Sequence, residues 1–255
     1  MDMEINYFLA TFIILIIILT IFFPVFGYNS IKKLKKSIAE GDLSKRIKFY
    51  HETILWSWIP LFLIFLLIPI SGISLNDIGI KWIHIDTSSL TKWVVYPIIG
   101  LYILYLLYNI YTIIIFKSNK ESRAKAAQSI PDDLKWLFPI TQKEKRVWSL
   151  VSISAGITEE ILYRGYLFYA LAIVFPILSL FDILLITTLI FGIGHIYQGK
   201  EAIKSTILGL VFGIFYIVFD SVIPIIIAHI AQDLVVRDIF EEKIKNSSNP
   251  GTNII

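Results

Sequence analysis

The chain has 255 residues, 56% of them hydrophobic and 17% charged, and its mean hydropathy of +0.73 excludes a soluble globular domain. The formal net charge is +3, and most basic residues sit between apolar runs, which argues against a nucleic-acid partner. With no cysteine, disulfides, thiolate metal sites and cysteine nucleophiles are ruled out.

About 20 apolar residues cross the hydrocarbon core as a helix, and runs of that length recur along the chain. They predict an all-α protein, a polytopic transmembrane bundle of seven to eight spans. The first span covers 7–28. It is too long for a signal peptide, lacks a basic leader and is followed by no small-residue cleavage pattern, so it reads as a retained anchor. The basic segment 29–50 follows, with Ile31, Leu34 and Ile38 at helical spacing. It fits either a surface helix or a solvated loop. The second span is 54–73, and "SGISLNDIGIKWIHI" at 71–85 reads as an outer loop or re-entrant piece. The third span is 93–116.

The long polar stretch 117–146 ends in "LFPITQKEK", where Thr141 and Glu144 fit a capping box. A helix should start there, run into "AGITEEILYRG" and end before Pro176 as the fourth span. The fifth, sixth and seventh spans are 181–197, 203–219 and 222–240. Gly209 and Gly213 form a small-xxx-small pair that reads as helix packing. Three parts result: 1–140 with the N-terminal spans and basic loops, 141–240 as a helical core, and 241–255 as a polar tail expected to be disordered.

Lys and Arg set the orientation. Residues 29–50 hold seven of them and 117–146 hold eight, whereas the intervening loop has only Lys81 and Lys92. An N-terminus outside and a C-terminus in the cytoplasm put 20 of the 23 basic residues inside. An integral protein of the plasma membrane, with the bilayer as its surroundings, is the expectation.

Ionisable side chains in such spans are expensive and mark function by default. The last four spans carry Glu159, Glu160, Arg164, His195, Asp220, His229 and Asp233. Asp220 falls at a helix end, which accounts for it. Glu160 and Arg164 are four residues apart on one helical face, so the arginine can hold one carboxylate ionised. Glu159, rotated by about 100°, is left to act as a base. His229 and Asp233 share a face in the same way, and His195 follows Gly192 and Gly194 in "FGIGHIYQG". Each pair alone has a structural reading as an ion pair or core hydrogen bond. Three spans supplying Glu, His and His in order would need three such explanations.

These residues resemble the motifs of the CPBP intramembrane proteases, also called the Abi or type II CAAX prenyl protease family: EExxxR, FxxxH and HxxxN or HxxxD. They stand here as "EEILYR" (Glu159 to Arg164), "FGIGH" (Phe191 to His195) and "HIAQD" (His229 to Asp233). The resemblance covers about 140–240. It implies an intramembrane endopeptidase that cuts membrane-associated or lipidated peptide substrates. Carried over, Glu159 is the base that activates water and His195 positions that water. His229 and Asp233 then stabilise the oxyanion, Glu160 and Arg164 form the supporting ion pair, and Phe191 lines the cavity.

Asp233 stands where CAAX-cleaving members have asparagine, and an ionised aspartate cannot donate to an oxyanion. Either it orients His229, or it is protonated, or the site binds a metal. No cofactor is required on the favoured reading. Glu159, His195 and His229 are the candidates if zinc takes part. A bacteriocin-immunity or scaffold protein, and a proton-coupled transporter, are the alternatives.

Overall fold

The computed structural model describes residues 2–85 and 91–241, and every regular element among them is helical. The tail over 241–255 lies outside the described residues apart from Glu241. Helices α1 (Asp2–Ile17) and α2 (Phe23–Ala39) are joined by a π-turn (Ile18–Phe22), so Asn6–Ala39 is one continuous 34-residue helix. At 1.5 Å per residue it is about 51 Å long, against about 30 Å of hydrocarbon. Its last turns therefore carry the lysines past the apolar layer. The basic segment is thus no separate surface helix: residues 29–39 end the first helix, and Lys45, Arg46 and Lys48 lie on the first turns of the next one. Ile31 and Leu34 form the buried side of residues 29–39, as their spacing suggests.

Gly41, with φ +87°, turns the chain into α3 (Ser44–Ser71), which Gly72 ends in the left-handed conformation that glycine adopts freely. Helix α4 (Lys92–Ser118) is followed by α5 (Lys120–Ser129), whose first amides are capped by Asn119, and by the single turn α6 (Asp132–Lys135). Helix α7 (Gln142–Glu159) starts at the expected capping box, with Thr141 Oγ1 accepting from Glu144 N. It passes without a break through a π-turn (Glu160–Tyr166) into α8 (Leu167–Val174). Then come α9 (Leu180–Gly194), a 3-10 segment (Ile196–Glu201), α10 (Ala202–Phe219) and α11 (Val222–Val235). Asn6–Ala39, α3, α4 and Ile196–Phe219 are long and apolar enough to cross a membrane, and α9 is a shorter apolar helix.

Helix α7 lies between α3 and α11, α9 packs on α10, and α4 packs on α10 and α11. The largest core cluster draws on both ends of the sequence. Leu15, Leu19, Leu61 and Ile64 are fully buried with Tyr166, Leu167 and Val222. At one end of the bundle, Arg46 and Glu144 form a buried ion pair at 2.7 Å, and Arg46 Nε donates to Trp136 O. Tyr50 Oη donates to Leu137 O beside them. These bonds tie the connection before α7 to α3.

At the other end the 71–85 stretch is a docked loop. Val222 N donates to Gly79 O, His84 N to Phe219 O, and Lys81 pairs with Asp220 at 2.7 Å. Gly165 on the π-turn has no Cβ where one would collide with the Ile78 carbonyl, and this lets the loop sit down on it.

Candidate active site

Glu159 ends α7 and Glu160 begins the π-turn. A π-turn takes more residues per turn than an α-helix and recurs at functional sites. The junction of α7 with this turn presents both glutamates to α11, on opposite sides of one imidazole. Glu160 Oε1 accepts from His229 Nδ1 at 2.6 Å, while Glu159 Oε2 lies 3.9 Å from His229 Nε2. The sequence places Glu160 with Arg164 but does not foresee its bond to His229. These residues are 69 positions apart, and only the packing of α7 on α11 brings them together.

Arg164 is buried against Glu160 at 2.9 Å. Its Nη2 donates to Gly209 O at 2.9 Å, and the guanidinium lies 4.7 Å from the Phe191 ring centre. Gly209 does serve packing, since a Cβ there would meet the Phe191 ring. Its carbonyl also fixes the arginine, which the small-xxx-small spacing does not reveal.

His195 is the C-cap of α9. Its Nδ1 donates to Phe191 O at 2.8 Å, because a carbonyl can only accept, and its ring lies 4.3 Å from the Phe191 ring. The Nε2 of neutral His195 is therefore an acceptor, and it stands 3.9 Å from Glu159 Oε2. Asp233 Oδ2 is 3.7 Å from His229 Nε2. Glu159, Glu160, Arg164, Phe191, His195, His229 and Asp233 thus form one cluster. Glu160 is closed off, with 0% of its side chain exposed, whereas Glu159 keeps 24%.

Glu159, His195 and His229 converge, but 3.9 Å is wider than the about 3.3 Å between ligands of a tetrahedral zinc ion with bonds near 2.05 Å. Among the described residues, no three His, Asp or Glu side chains are gathered to hold a metal. As placed, these side chains do not fit zinc.

An all-α integral membrane protein with carboxylates and imidazoles converging at its core is the class that fold and site define. Residues 142–235 match the family model described as type II CAAX prenyl endopeptidase Rce1-like, the family its three motifs resemble. The match supports a CAAX-type intramembrane protease function. No curated protein and no solved structure matches the chain.

Proposed function

We propose that the protein is a glutamate-dependent intramembrane endopeptidase acting on membrane-associated or lipidated peptides. The observation that carries this is that Glu159 Oε2 stands 3.9 Å from the Nε2 of two histidines, each anchored through Nδ1. Water hydrogen-bonded to Glu159 gives a second hydrogen bond to His195 Nε2, which positions its oxygen. Glu159 takes a proton as that oxygen attacks the peptide carbonyl, and the C–N bond breaks as the proton passes to the departing amine. Doubly protonated His229 keeps Nδ1–H on Glu160 and donates Nε2–H to the oxyanion. Arg164 pairs with Glu160 and holds it against His229, and Asp233 faces His229 and orients it. The resemblance in the motifs supports the same assignment of base and donor.

Basic residues concentrated in two segments support an N-terminus outside and a C-terminus in the cytoplasm of the plasma membrane.

The test is cleavage of a panel of quenched-fluorescent peptides, with and without a lipid anchor, by purified protein in proteoliposomes. Glu159→Gln should lower kcat by at least about 100-fold, and a zinc chelator should leave the wild type unchanged. Undiminished cleavage by Glu159→Gln would sink the proposal. Loss on chelation with recovery on adding zinc would replace the glutamate base with a metal. Cleavage only of anchored peptides would narrow the substrate to lipidated chains.

A further inference from the structure

The carboxylates around the reacting centre, Glu159, Glu160 and Asp233, accept hydrogen bonds when ionised and cannot donate them. An oxyanion is stabilised by donors aimed at it, and His229 supplies only one. We infer that the side-chain amide of Gln232 supplies another, donating N–H to the carbonyl oxygen of the scissile bond, and that Tyr105 on α4 orients it. This rests on the endopeptidase reading above.

On α11, Gln232 comes three residues after His229 and Asp233 four, so they flank the imidazole at about 60° and about 40° on its two sides. Tyr105 Oη donates to Gln232 Oε1 at 2.6 Å. That bond assigns the oxygen end of the amide to α4 and leaves the Nε2 hydrogens for another acceptor. Gln232 is half-buried.

The Tyr105 ring meets Phe212 edge-on with ring centres 6.0 Å apart, and Phe212 lies beside His229 at 5.6 Å and under Arg164 at 5.7 Å.

Helix α4 carries a pattern that packing alone does not require. Its outward residues, among them Leu101, Leu104, Leu107 and Tyr108, are exposed and apolar or aromatic. Its inward side holds Tyr102, Tyr105 and Asn109. Tyr102 Oη donates to Pro224 O at 2.9 Å, and Asn109 Nδ2 donates to Tyr105 O at 2.8 Å. Both ends of α11 are thus hydrogen-bonded to a helix outside the 142–235 match. Tyr105 acts through Gln232 and is a positioning residue, while Gln232 touches the substrate.

Cleavage kinetics and thermal unfolding of Gln232→Leu, Tyr105→Phe and their double variant, with Glu159→Gln beside them, test this. Gln232→Leu should lower kcat about 100-fold while KM moves less than about threefold, the signature of a contact made in the transition state. Tyr105→Phe should lower kcat about tenfold in the wild type, by misaligning the amide, and should cost nothing further when combined with Gln232→Leu. Should Gln232→Leu fail to fold, Gln232→Glu keeps the shape, removes the donor and is read in the same way.

A folded Gln232→Leu with kcat near wild type overturns the inference, and so does a Tyr105→Phe effect that persists in the Gln232→Leu background. Full activity of Glu159→Gln brings down the endopeptidase reading itself. Loss in Glu159→Gln beside full activity in Gln232→Leu brings down this inference alone.

Discussion

Glu160 is closed in by Arg164 and His229, while Glu159, one residue earlier, keeps contact with the open side of the cluster. The two should separate cleanly on substitution. Glu160→Gln leaves Arg164 buried with no opposing carboxylate, and breaking a buried pair from one side costs about 3–5 kcal/mol. Glu159→Gln removes no ion pair shorter than 3.9 Å and should leave stability within about 0.5 kcal/mol. Thermal unfolding in detergent compares the two directly. Equal destabilisation would mean that Glu159 is as structural as its neighbour. The adjacent pair and its arginine are legible in "EEILYR" because spacing on a helix is local. The partner of Glu160 is not, because it comes from α11.

The π-turn at Glu160–Tyr166 links the site to the outer loop, since the element that presents Glu160 also carries Gly165 against Ile78. In an ordinary helix a Gly→Ala change gains up to about 1 kcal/mol. At Gly165 the added carbon meets a backbone carbonyl that cannot swing away, so Gly165→Ala should cost about 1–3 kcal/mol instead. Gly100 on α4 has no atom within 4 Å of the added carbon, and Gly100→Ala should be neutral or stabilising. Denaturation midpoints of the two variants should therefore move in opposite directions. A shared direction would show that helix propensity outweighs the collision. Neither π-turn is foreseen, because apolar periodicity does not distinguish a helix with one inserted residue from a regular one.

Across the whole molecule, the Arg46–Glu144 pair joins the N-terminal helices to the region of the family match. Arg46→Leu alone should destabilise by about 3–5 kcal/mol, and adding Glu144→Leu should recover much of the loss, because the second change removes the orphaned carboxylate. No recovery would assign the effect to the bonds from Arg46 to Trp136 and from Glu144 to the amides of Ile140 and Thr141.

The pair also places the α2–α3 turn and the connection before α7 at one end, with the 71–85 loop at the other. Since the chain has no cysteine, the single substitutions Asn76→Cys and Ala124→Cys report topology without background. A membrane-impermeant thiol reagent applied to whole cells should label Asn76→Cys and not Ala124→Cys. The reverse result would invert the proposed orientation.

The sequence by itself determined the helical class, the positions of the apolar runs, the start of α7 at Thr141 and the residues expected at the site. Each of these is encoded within a turn or two of chain, by apolar run length, capping chemistry or helical spacing. Only the tertiary structure decided that the basic segment is divided between the end of the first helix and the start of α3, that the 71–85 stretch docks on Gly165, and that Gly209 holds Arg164. It also decided that Glu160, more than Asp233, fastens His229, and that Tyr105 meets Gln232. These are contacts between side chains or backbone groups distant in sequence, set by which helices lie side by side, and no local pattern specifies that choice.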